Sequence, residues 1–63
     1  MSWNYSARRR ADKHGEYYDV VEYYGENTYT AGSVHPVGGT LEELVKELER
    51  MLTDVKTRPV LEE

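Results

Sequence analysis

Residues 40–55 read TLEELVKELERMLTDV, and this stretch decides the fold. Its apolar residues are Leu41, Leu44, Val45, Leu48, Met51, Leu52 and Val55, separated by steps of 3, 1, 3, 3, 1 and 3. That spacing draws one stripe along a helix and fits no strand alternation. Thr40 stands at the N-cap position and Glu43 follows three residues later. The threonine hydroxyl is placed to accept the Glu43 N–H, while the Glu43 carboxylate reaches back to the Thr40 N–H. Gly38 and Gly39 break whatever precedes. The spacing predicts a helix over 41–55.

Working outward, Pro59 stops the helix and biases Arg58 to an extended conformation. Residues 56–63 then form an extended tail, with Val60 and Leu61 available to tuck against an open core edge and the last two glutamates frayed. Before the helix, residues 2–10 alternate as a strand, with Trp3, Tyr5, Ala7 and Arg9 on one side. Residues 12–15, Asp-Lys-His-Gly, read as a turn. Residues 16–24, EYYDVVEYY, suit a pleated surface and make a central strand, partly apolar on both faces. Gly25, Glu26 and Asn27 form a second turn, and residues 28–34 a weaker third strand with Gly32 as a bulge. The expected architecture is therefore α+β: a three-stranded antiparallel meander with one helix packed on one face, in two layers. Its expected core is Trp3, Tyr5, Val20 or Val21, Leu41, Leu44, Val45, Leu48, Met51 and Leu52. One sheet face is left without cover in this arrangement.

Sixty-three residues make a single small domain, near the lower limit for folding without staples. The absence of cysteine excludes disulfides and thiolate metal sites. No apolar run reaches the roughly 20 residues that span a bilayer. The opening MSWNYSARRR has no apolar signal core, so a cytoplasmic protein without a membrane partner is expected. Net charge is −4, unevenly spread. Residues 1–15 carry four cations against Asp12, a local +3, whereas residues 16–54 carry nine carboxylates against Lys46 and Arg50, a local −7.

Catalysis finds little support. His14 sits in a turn and His35 beside Pro36, without a partner or metal-ligand spacing. Ser2, Ser6 and Ser33 lack a nucleophile-elbow context. Gly38-Gly39 precedes a helix whose first turn, Glu42 and Glu43, repels phosphate. The sequence thus predicts no enzyme, no catalytic or metal site and no cofactor. Arg8, Arg9, Arg10 and Lys13 are too few for direct nucleic-acid binding and are better matched to Glu16, Asp19 or Glu22 across the hairpin.

The charge pattern suggests an interaction protein that presents carboxylates. Asp19, Glu22, Glu42, Glu43, Glu47 and Glu49 are the expected partner-binding residues. They would imitate a nucleic-acid backbone and block a basic nucleic-acid-binding protein, in a salt-sensitive manner. Glu42–Lys46 and Glu47–Arg50 pairs would temper that surface. The alternative is a small homodimeric or accessory protein that uses the aromatic open sheet face, with Tyr17, Tyr18, Tyr23 and Tyr24 as its interface.

Trp3-Asn4-Tyr5, Gly15-Glu16-Tyr17-Tyr18, Thr40-Leu41-Glu42-Glu43-Leu44, Leu48-Glu49-Arg50-Met51-Leu52 and Arg58-Pro59-Val60-Leu61 follow one another in a distinctive order. In this the chain resembles a family of short uncharacterised bacterial proteins that open with Trp-Asn-Tyr and close with Pro-Val-Leu. The resemblance implies the strands-then-helix fold and brings no assigned activity. This chain departs from the family at Ser6, where arginine is usual, and in a shorter second hairpin around Gly25-Glu26-Asn27. By size and charge alone it is also similar to phage anti-CRISPR inhibitors, which implies a Cas subunit as the basic partner.

Overall fold

A computed structural model describes residues 2–62, so the expected tail is described as far as Glu62. The elements run β1 (Asn4–Asp12), β2 (Gly15–Gly25), β3 (Thr28–Tyr29), α1 (Leu41–Thr57) and β4 (Leu61–Glu62). The class is α+β. The sheet, however, has four strands in the order β3-β2-β1-β4 and is mixed rather than purely antiparallel. The tail that was expected to tuck against an edge does so as a strand: Leu61 and Glu62 pair in parallel with Arg8 and Arg9. β1 is therefore a central strand, like β2.

The two turns show why the meander forms. Between β1 and β2, the Asp12 carboxylate accepts the His14 N–H at 2.8 Å, and Asp12 pairs with Gly15 across the strands. Between β2 and β3, Glu26 and Asn27 hold φ of 53° and 62°. Two successive positive-φ residues match the right-handed twist of flanking strands, the geometry favoured in two-residue hairpins. Asparagine tolerates that region well; glutamate does so at a cost of about 1 kcal/mol.

The third strand is much shorter than the expected 28–34. The ladder shifts register between Tyr23 and Gly25 and ends at Tyr29. Beyond it isolated bonds hold the chain to β2, among them Thr30 N–H to the Glu22 carbonyl at 3.0 Å, Glu22 N–H to the Thr30 hydroxyl at 3.1 Å and Val34 N–H to the Val20 carbonyl at 2.8 Å. The physical reason lies in Arg8, whose guanidinium takes the carbonyls of Thr30 and Ala31 at 3.2 and 3.0 Å. Those acceptors turn toward the arginine, not along a ladder.

Helix α1 begins as expected and ends two residues later. Thr40 is extended (φ −134°, ψ 164°) and its hydroxyl accepts the Glu43 N–H at 3.1 Å. The Glu43 carboxylate reaches back one residue further than expected, to the Gly39 N–H at 3.1 Å. A side chain at Gly38 would run into the backbone of Glu43 and Leu44, so glycine lets this linker lie close against the first turn. At the other end, the Arg58 N–H closes on the Asp54 carbonyl at 2.8 Å. Arg58 is already extended (φ −99°, ψ 152°) because Pro59 follows it.

The core departs most from expectation. Buried hydrophobic residues are Tyr5, Ala7, Val21 and Met51, with Ser6 and Arg8 buried beside them. Leu41, Val45, Leu48 and Leu52, expected inside, are 77%, 45%, 47% and 60% exposed. The helix meets the sheet with a different side. The Tyr5 hydroxyl donates to Glu47, the Tyr5 N–H donates to Asp54 at 3.0 Å, and the Arg50 guanidinium lies 4.1 Å from the Trp3 ring centre. At 100° per residue, these inward residues sit roughly 140° around the axis from the Leu41–Val45–Leu48–Leu52 line. Polar groups that β1 can satisfy have claimed the inner side.

Candidate interaction surface

The strongest polar constellation is internal. Arg8 is 1% exposed and forms a two-pronged pair with Asp19, Nε to Oδ1 at 3.1 Å and Nη2 to Oδ2 at 2.6 Å. The strand register places the two residues directly opposite, so β-pairing pre-sets the fork geometry that makes such pairs strong. Ser33 donates to the same carboxylate at 2.6 Å, and Arg10 lies 3.8 Å away. The Tyr29 ring lies 5.7 Å from the Arg8 guanidinium carbon. The hydrogen bond from Arg8 holds the Asp19 carboxyl below its ordinary value, with Ser33 and Arg10 adding to the effect against the opposing pull of burial. The expected cross-hairpin pairing of the basic run is thus realised, since Arg9 also meets Glu16 at 3.3 Å and Glu62 at 2.7 Å.

The other expected partner-binding carboxylates scatter. Glu47 faces the sheet and takes the Tyr5 hydroxyl, while Arg50 pairs with Asp54 at 3.9 Å. Glu22 accepts the Tyr24 hydroxyl at 2.7 Å, a bond that raises the tyrosine pKa. Glu43 is exposed but engaged with Gly39. Glu42 and Glu49 remain, both exposed on the outer side of α1. The structure therefore does not gather the six into one surface.

The four tyrosines also divide. Strand alternation puts Tyr17 and Tyr23 on the Arg8 side and Tyr18 and Tyr24 on the Tyr5 side. Tyr17, Tyr18 and Tyr24 are exposed, whereas Tyr23 is half-buried and its oxygen accepts the Asn27 N–H at 3.2 Å. Neither is the far face of the sheet bare. Residues 30–34 reach across it to Arg8 and Asp19. Asn4, Ser6, Tyr23, Arg58, Pro59 and Leu61 line a cavity of about 200 Å³ where the tail passes.

What sequence reasoning assigned to the interior is an exposed apolar line on the helix. Leu41, Val45, Leu48 and Leu52 form a line along the outside of α1, with Glu42 and Glu49 at its border and Lys56 in the last turn. Full burial of one leucine side chain is worth about 1.5–3 kcal/mol, so this line holds much unused driving force. The signal was present but not decisive: the apolar arc, from Met51 round to Val45, is about 120° wide. An ordinary one-sided helix has an arc of similar width.

Among the described residues no helix is long and apolar enough to cross a membrane, and no group of three or more metal-ligating side chains comes together. In comparison with known proteins, no family, no curated protein and no solved structure matches the chain.

Proposed function

We propose that this is a non-enzymatic interaction protein that docks onto a protein partner through the outer face of α1. The exposed line Leu41–Val45–Leu48–Leu52 carries this reading. Apolar side chains in such a line, bordered by charge, are how an amphipathic helix seats on an apolar surface. The Glu42 and Glu49 border supplies steering toward a basic rim, while the apolar line supplies salt-resistant affinity.

Photo-crosslinking in expressing cells tests this, with the probe at Val45 or Leu52 and a control at Lys13 in the first turn. Discrete protein adducts are expected from the two helix positions and none from the turn. Adducts from Tyr17 or Tyr18 with none from the helix would overturn the assignment in favour of the aromatic sheet surface.

A second reading keeps the carboxylates as the contact, in an anti-CRISPR-like inhibitor of a basic nucleic-acid-binding protein. It is favoured by the exposure of Glu42, Glu43 and Glu49 on the helix and by the net charge of −4. Under it, Glu42→Lys with Glu43→Lys abolishes binding and moderate salt dissolves the complex. Under the apolar reading, that double variant slows association but the complex survives salt.

A further inference from the structure

Building on that docking face, we infer that its partner is a second copy of this chain, paired antiparallel along α1. Three observations combine. The first is spacing: Leu41, Val45, Leu48, Leu52 and the half-buried Val55 follow steps of 4, 3, 4 and 3. This is the repeat that keeps a seam facing another helix. The inward residues Glu47, Met51 and Asp54 lie off that seam, so pairing would not disturb the contact with β1.

The second is charge. Glu42, Glu49 and Lys56 are seven residues apart and so lie along one flank of the seam. Antiparallel pairing with Leu48 against Leu52 of the second copy brings each Glu42 beside Lys56 of the other. Each dimer then has two opposite-charge pairs, with the two Glu49 side chains meeting at the two-fold axis. Sliding the copies by seven residues one way sets Glu42 against Glu49, which repels; sliding them the other way pairs Glu49 with Lys56 but takes Leu41, Val45 and Leu48 out of the seam, so charge and apolar overlap together select one register. Val37 and Val60, both exposed just outside the two ends of α1, would then lie at matching ends of the paired helices.

The third is the size of the core. Among the described residues four hydrophobic ones are buried. Domains this small usually add a staple, and oligomerisation is one such staple open to a chain without cysteine. A helix of 17 residues is about 25 Å long. That makes a short seam, so a concentration-dependent dimer is expected, not an indissoluble one.

Sedimentation velocity from 5 μM to about 1 mM, with melting recorded across the same range, tests the inference. The expected result is a species of twice the 7.3 kDa chain mass and a melting temperature that climbs with concentration. Leu48→Glu should weaken pairing at least about 100-fold. Because that change also bears on folding in a dimer-dependent chain, charge variants provide the sharper arm. Glu42→Lys or Lys56→Glu alone should weaken the dimer about tenfold, and the two together should restore it to within about threefold, as surface ion pairs allow. Glu49→Gln should tighten it. A chain that stays at 7.3 kDa throughout, or a dimer indifferent to Leu48→Glu, overturns self-pairing through α1. A double charge variant that fails to recover overturns the antiparallel register. If the chain is monomeric yet the Val45 probe still captures a protein of another mass, the docking face stands and only its assigned partner falls. No adduct from Val45 or Leu52 ends both.

Discussion

The two sides of this small sheet are built from opposite materials. On one, an arginine lies buried against Asp19, Thr30 and Ala31 with its hydrogen bonds complete. On the other, Leu41, Leu48 and Leu52 stand in solvent on a helix whose Glu47 and Asp54 have turned inward. Hydropathy alone would assign these the other way round. The difference teaches that in a short chain, burial follows strand register and backbone need before it follows apolarity. Arg8 is inside because β-pairing sets it opposite Asp19 and a loop folds its carbonyls over it. The leucines are outside because β1 needed an acceptor for the Tyr5 N–H and Asp54 supplied one.

The contrast can be broken most directly at Arg8. Arg8→Ala takes the guanidinium from the Asp19 carboxylate, which keeps Ser33 and the more distant Arg10, and from the Thr30 and Ala31 carbonyls; losing one member of a buried pair costs about 3–5 kcal/mol. For a domain of this size that is most of the stability, so urea melts followed by circular dichroism should show little or no folded baseline. A melt close to wild type would mean that water replaces the guanidinium and that this side is not a polar core.

Acid probes the same pair more gently. Asp19 titrates below its ordinary value of 3.8 when folded. A depressed carboxylate pKa means that the pair's contribution is fully present above that ordinary value and is lost as pH falls through the folded one. Stability measured between pH 6 and pH 2 should therefore fall steeply at the acid end. Asp19→Asn should be less stable at neutral pH but flatter at the acid end. An unchanged slope would assign the acid limb to other carboxylates.

Smaller still is the hairpin. Glu26→Asn replaces a residue ill suited to φ 53° with one that tolerates it and should stabilise by about 1 kcal/mol. A thermal melt is enough to check this. The smallest expected effect is on the apolar side. Leu52→Gln, at low micromolar concentration where chains stand apart, should change stability by no more than about 0.5 kcal/mol. A loss of 2 kcal/mol or more would place Leu52 in the interior and erase the contrast.

Much of the fold was legible because local chemistry wrote it. The Thr40 cap, the Asp12 turn, the tyrosine- and valine-rich strand and the stop before Pro59 each act over a few residues, and each stands where the residues predict. What the sequence hid depends on contacts far apart in the chain. Nothing local to Thr30 says that Arg8 will take its carbonyl, so the third strand reads longer than it is. The two-residue β4 is too short to announce itself beyond an apolar Val60-Leu61 pair. The candidate surface was obscured for the same reason: an apolar arc on a helix does not say which part of it the sheet will use. That was decided by Tyr5, whose hydroxyl and N–H both sought carboxylates on α1.

The parallel pairing of β4 with β1 also bears on the tempo of folding. Residue 8 finds residue 61 only after the intervening hairpin and helix have shortened the path between them. The helix must first end at Arg58 for the tail to be aimed at β1, so this closure comes late on the way in. With two residues in the ladder it also lets go sooner than the β1–β2 pairing. The amides of Leu61 and Glu62 should exchange with solvent well before those of the β1–β2 hairpin, exposing for brief intervals the strand on which the whole sheet is built.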